Sequence, residues 1–270
     1  MEYKEITIGN YKLKGYSRAA KETGFQIYPL GIFLDAGIEF NNIAKLILIT
    51  HGHLDHIKML YPLTCQNEDV TILSPFAYTK FIKEYLISCK NLTCCKQTFL
   101  TNNNIFGMQD NSKYVFIKNK WEIKTYPMDH GIDCLGYGIF EIKHKIKEEF
   151  KSYNKEEIVA LKEQNICITN KISNGYLFFG GDTSKKSLIN LPFDKFNYFM
   201  IECTFILDED YNETKKKKHL HYQDLLPYIK SNEKTTFILF HFCKKYSDKF
   251  LQEFEIEQKE KGINNIILWV

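Results

Sequence analysis

Apolar and polar positions alternate with a period of two over residues 3–14, the pattern of an opening strand or hairpin. Residues 15–24, Gly-Tyr-Ser-Arg-Ala-Ala-Lys-Glu-Thr-Gly, carry the composition of a turn-rich loop. Residues 25–28 and 31–35 read as two strands broken at Pro29, with Asp35-Ala36-Gly37 as a turn. Residues 46–50 are apolar on both faces, as for a strand buried between layers. A short helix is predicted over 58–63, a strand over 71–74 closed by Pro75, and a helix over 77–89 with Phe81, Tyr85 and Leu86 along one side. Strands are predicted at 114–117, 121–126 and 136–142. From 143 to 165 the chain turns charged and helical in pattern, without glycine or proline. Strand patterns resume at 176–179, 198–202, 236–240 and 265–270, with helices over 222–230 and 248–260. No internal repeat or low-complexity linker interrupts the series. The expectation is one α/β domain over 1–270, a four-layer sandwich of mixed sheets with helices outside and an inserted helical arm at about 143–170.

Composition sharpens this in a few respects. With 44% hydrophobic and 15% aromatic residues, the 270-residue chain can bury a large core. No apolar run reaches the length of a membrane-spanning helix, so no membrane association is expected. Residues 1–10 mix charged and apolar side chains with no apolar signal-peptide core, which points to a cytoplasmic protein and leaves nucleus or organelle open. The eight cysteines include no CxxC pair and read as reduced and mostly buried. A net charge of +3 does not by itself imply a polyanionic partner. Lysine clusters at 143–147, 185–186, 215–218 and 244–245 gain meaning only from what they flank.

The chemistry is concentrated in Thr50-His51-Gly52-His53-Leu54-Asp55-His56, which follows the apolar strand directly. Imidazole and carboxylate are ligands of borderline divalent metals, and α/β folds display such sites at the carboxyl ends of strands. The arrangement recurs. His130 follows the strand at 121–126, Asp182 follows that at 176–179, and His241 follows that at 236–240. Converging strand ends would complete a two-metal centre from His51, His53, Asp55, His56, His130, Asp182 and His241. His144 follows no strand end and reads as a surface residue.

These residues resemble the metallo-β-lactamase-fold hydrolases, and within them tRNase Z (ribonuclease Z) of the short form. The resemblance runs in order from about residue 6 to 250. It is carried by HxHxDH at 51–56, His130 to Tyr137, Gly181-Asp182-Thr183, Glu202-Cys203-Thr204-Phe205, His219-Leu220-His221 and His241-Phe242-Cys243-Lys244-Lys245-Tyr246. It implies an αββα sandwich and two Zn2+ per chain, with Mn2+ or Fe2+ also acceptable to the donors. His51, His53 and His130 would hold one metal, Asp55, His56 and His241 the other, and Asp182 would bridge them. It further implies Asp55, Glu202 and His219 as catalytic residues, Thr183, His221, Lys245 and Tyr246 as substrate contacts, and a homodimer that removes the 3′ trailer from precursor tRNA or another structured RNA, leaving a 3′-hydroxyl. The sequence departs from the family after HxHxDH, where glycines are replaced by Lys58-Met59-Leu60, at Lys245 in place of arginine, and in the arm, which lacks a Gly-Pro motif. Alternatives are a phosphodiesterase of the same fold acting on small or cyclic nucleotides, and an RNA-binding protein that has lost activity.

Overall fold

A computed structural model describes residues 3–99, 104–117 and 119–270. Met1 and Glu2, part of the alternating N-terminal stretch, lie outside the described residues. The first half of the chain forms a mixed sheet from β1 (Lys4–Ile8), β2 (Tyr11–Arg18), β3 (Glu22–Tyr28), β4 (Ile32–Leu34), β5 (Leu46–Leu48), β6 (Thr71–Pro75) and β7 (Ile105–Met108), in sequence order. Helices α1 (Leu54–Ile57), α2 (Leu60–Gln66) and α3 (Thr79–Cys94) connect its parallel part. The second half forms a sheet from β8 (Lys113–Phe116), β9 (Trp121–Met128), β10 (Cys134–Ile146), β11 (Thr169–Phe179), β12 (Phe196–Glu202), β13 (Thr236–Phe240) and β14 (Ile266–Leu268). Its helices are α4 (Lys155–Glu163), α5 (Tyr211–Lys217), α6 (Tyr222–Ser231) and α7 (Asp248–Glu260).

Side-chain alternation sorts three cores and thereby four layers. Leu46 and Leu48 of β5 point into a core shared with Leu177, Phe179, Ile238 and Phe240 of the other sheet. Ile47 and Ile49 point the other way, onto Leu60, Leu63, Ile82 and Leu86 of α2 and α3. On the second sheet, Phe199, Phe237 and Leu239 face outward onto Leu225, Ile229 and Leu251 of α6 and α7. Phe25 ties the sheets together, its ring meeting Phe179, Phe240 and Trp269 edge-on at centroid distances of 6.0, 5.3 and 5.1 Å. A strand buried on both faces must be apolar at every position, which is why residues 46–49 read as a continuous run. Among the described residues no helix is long and apolar enough to cross a membrane.

Several local expectations change. Residues 15–24 are mostly strand, not loop. Gly15 and Gly24 serve close packing between β2 and β3: a Cβ on Gly15 would sit 2.4 Å from the Gly24 carbonyl. The turn is confined to Ala19–Lys21, with Ala20 at φ 55°. In α3 the buried positions are Ile82 and Leu86, while Phe81 is turned out to solvent. The arm is not helical throughout. β10 and β11 run on as a hairpin, pairing Lys143 with Ile172 and Ile146 with Thr169, and only a 3-10 turn at Glu148–Phe150 and α4 near its tip are helical. Pairing with a partner strand some 30 residues away overrides the local helical pattern. α4 starts in a capping box between Asn154 and Glu157 and buries none of its residues. Cysteines are less buried than expected. Only Cys134 and Cys203 are, and Cys94-Cys95 are exposed because they end α3, with Cys95 in the left-handed cap position. β7 and α5 are additional to the predicted elements.

Candidate metal centre

β11, β12, β13 and β14 are mutually parallel, and β9 shares their direction because β10 opposes both β9 and β11. The chain leaving β9, β11, β12 and β13 therefore emerges at one edge, delivering His130, Asp182, Glu202 and His241 there. β5 delivers His51 and His53, and the single turn of α1 carries Asp55 and His56. The structure brings all seven predicted donors together. Donor atoms of His51, His53, His130 and Asp182 lie within 4.8 Å of one another, as do those of Asp55, His56 and His241. Asp182 touches both groups: its Oδ2 is 3.7 Å from His51 Nε2, 3.6 Å from His56 Nε2 and 3.4 Å from His241 Nε2.

The donor atoms are oriented from behind. His56 Nδ1 donates to Asp35 Oδ2 at 2.7 Å. Thr50 Oγ1 donates to the Asp35 carboxylate and so accepts from His51 Nδ1 at 3.0 Å. His241 Nδ1 donates at 3.1 Å to Thr204 Oγ1, whose own proton goes to Glu202 Oε2. His130 Nδ1 donates to the Lys218 carbonyl at 3.2 Å. Each of these four imidazoles spends its N–H outward and turns an Nε2 lone pair inward. Facing nitrogens are close, 3.4 Å between His56 Nε2 and His241 Nε2 and 3.0 Å between His51 Nε2 and His53 Nδ1. His130 Nε2 and Asp182 Oδ1 are buried without a hydrogen-bond partner. These two unpartnered buried atoms, beside closely packed imidazole nitrogens, fit divalent cations, and an all His/Asp donor set suits borderline metals.

The electrostatics agree. Burial would raise the carboxyls of Asp55 and Asp182, but the surrounding imidazoles hold both well below the usual carboxylate range. Burial pushes His51 well down, keeping it neutral. Burial also opposes the charge on His56, yet Asp182, Asp35 and Asp55 carry it up to about 9, so its Nε2 holds a proton at neutral pH that a bound cation would displace.

Glu202 is fully buried and accepts four hydrogen bonds, from Thr183 N, Thr204 N, Thr204 Oγ1 and, at 2.8 Å, His219 Nδ1. Burial lowers the His219 pKa, but the Glu202 carboxylate outweighs it and brings the ring to about 9. His219 thus stays an imidazolium at neutral pH, on the wall of a cleft of about 760 Å3 that also holds His53, Asp55, His241, Lys21, Lys58, Lys217 and Lys244.

The residues expected to touch substrate are placed differently. Thr183 is buried, its N–H on Glu202 and its hydroxyl on Ser187. His221 is buried and caps α6, accepting from Gln223 N and donating to the Leu207 carbonyl. Tyr246 is drawn beneath residues 206–210, accepting from Ile206 N and Leu207 N and donating to Asp210. Its neighbour Lys245 consequently pairs with Asp210 and Glu209 outside the cleft, and Lys244 takes the wall position. Asp35, read from the sequence as part of a turn, is the buried carboxylate orienting two of the imidazoles. It too ends an apolar strand, the same signal that marks the others. His144 is exposed on the arm.

The two sheets with this centre at their common edge form the metallo-β-lactamase fold. The chain superposes on a metallo-β-lactamase fold protein of Bacillus subtilis with a TM-score of 0.63 at 12% identity, covering 96% of this chain and 95% of that one. In sequence the chain is similar to tRNase Z, also called ribonuclease Z. It is 24% identical to a tRNase Z of Arabidopsis thaliana over 258 residues, 93% of this chain and 91% of the relative. The short form of human tRNase Z superposes with a TM-score of 0.55 at 16% identity, covering 86% of this chain and 92% of that one. No family model matches.

Proposed function

We propose that the protein is an endoribonuclease that removes 3′ trailers from tRNA precursors and leaves a 3′-hydroxyl. The observation that carries the reading is the buried Glu202–His219 pair, whose imidazole stands 4.0 Å from Asp182 at the mouth of the donor cluster. His51, His53 and His130 would hold one divalent cation and Asp55, His56 and His241 a second, with Asp182 between them. Zinc suits the donors, and manganese or iron is also acceptable. Such ions supply Lewis-acid neutralisation of a phosphodiester and acidify water toward neutrality.

The remaining work falls to side chains. Asp55, held ionised with a depressed pKa, is a weak base. It serves by accepting a hydrogen bond from the attacking water and fixing its direction. Ala20 N–H steadies its Oδ2 at 3.0 Å. The leaving ribose 3′-oxygen needs a proton, and His219 Nε2 donates it while Nδ1 stays on Glu202. Lys21, Lys58, Lys217 and Lys244 neutralise backbone phosphates in the cleft, and the lysine-rich hairpin at 143–170 extends that grip to a structured RNA. The enzyme works as a homodimer in a reducing, cytoplasm-like compartment, consistent with cysteines that are free among the described residues.

Chelator-treated protein, with and without added zinc, manganese or iron, tests this on a precursor tRNA carrying a 3′ trailer. Metal-dependent trailer release, abolished by Asp182→Ala, is expected. Failure to cleave with every metal refutes the proposal.

A further inference from the structure

A second groove, of about 580 Å3, shares His130 with the centre but has a different character. Residues 75–77, 108–110 and 127–135 form its walls. Its charged side chains, the His130 imidazole aside, are carboxylates, Asp110, Asp129 and Asp133, and no lysine lines it. Asp129 is held by Lys218 and Ser184, whereas no cation pairs with Asp110 or Asp133 among the described residues. A phosphate placed here would face uncompensated negative charge, so the groove does not continue the phosphate track of the lysine-lined cleft. Its volume falls in the range of small-ligand sites and accommodates a nucleoside.

Phe76, at the turn after β6, is 65% exposed at the rim. It lies against Gly107 of β7, where a Cβ would come within 2.8 Å of Phe76 Cδ2. An exposed aromatic ring at the rim of a groove next to the proposed phosphodiester site is the kind of platform on which unstacked bases are received.

We propose that this groove is a nucleobase subsite for a nucleotide adjoining the scissile phosphate. Phe76 stacks on the base. The Asp110 and Asp133 carboxylates accept hydrogen bonds from exocyclic amino groups, as acidic side chains do from cytosine N4. Cytosine, adenine and guanine are then preferred over uracil, which presents carbonyl oxygens and no amino group. The inference rests on the reading of the substrate as RNA.

The test measures kcat/KM on precursors varied to each of the four bases on either side of the cut. Phe76→Ala is expected to lower it about 5- to 150-fold whichever base is present, the range that loss of one stacked base gives. Phe76→Tyr restores it. Asp110→Asn combined with Asp133→Asn raises the rate on uracil relative to cytosine at one of the two positions. Phe81→Ala, which removes an exposed ring on α3 outside the groove, leaves activity unchanged. If wild type cleaves RNA but Phe76→Ala matches it, or the aspartate variants leave base preference unaltered, the subsite is refuted. If wild type cleaves no RNA, the substrate reading itself has failed.

Discussion

Glu202 and Asp35 are the two carboxylates on which the centre turns, and neither is among the seven donors. Glu202 keeps the His219 pKa at about 9 against the opposing pull of burial. With the protonated ring as the proposed acid, its contribution is present below about pH 9 and lost above it. Glu202→Gln keeps the shape but removes the charge, so burial prevails and the pKa falls. The alkaline limb of the kcat–pH profile should move to lower pH, and kcat at pH 8 should drop by about 10²- to 10⁴-fold, the usual worth of a positioned acid. An unmoved limb would place the acid elsewhere. Asp35→Ala strips His56 of its acceptor and leaves Thr50 unanchored. Loss of such an outer carboxylate costs about 10- to 100-fold in metal affinity, readable by competition with a chromophoric chelator.

Among the elements, the arm and the strand ends behave oppositely. α4 buries nothing, so its stability rests on the capping box and on its neighbours in the chain. Asn154→Ala should destabilise that helix by about 1 kcal/mol. Because the helix supports no core, the midpoint of global unfolding should stay within about 1 °C while amide exchange in 155–163 accelerates. A large fall in Tm would mean that α4 packs on something. The strand ends, by contrast, are legible from sequence. The donors after β5, β11 and β13 follow apolar runs and His130 follows an alternating strand, and a local pattern suffices to see that. What a local pattern does not reveal is which way a side chain turns once the loop closes. Thr183, His221 and Tyr246 point inward, because backbone N–H groups at 206–207 and 223 and the Glu202 carboxylate take them as partners. The β10–β11 hairpin is hidden for a similar reason, since strand pairing at long range leaves little local trace in a lysine-rich stretch.

At the scale of the whole molecule, two seven-stranded sheets bring one half of the centre from each half of the chain, so neither half holds a complete site. Lysine, a point charge, supplies nearly all the positive charge; Arg18 is the chain's single arginine and is buried against Asp248. RNA binding should therefore be strongly salt-dependent. Lys217→Ala with Lys244→Ala should flatten the plot of log(kcat/KM) against log salt by about 0.7 to 0.9 for each phosphate that is no longer neutralised. An unchanged slope would remove those lysines from the RNA path. The proposed reaction is a cut of precursor tRNA at the start of its trailer by attack of water. Mapping the cut with end-group analysis tests it most directly. A single cut that leaves a 3′-hydroxyl on the tRNA and a 5′-phosphate on the trailer is expected. A 2′,3′-cyclic phosphate, or cuts scattered along the RNA, would contradict it.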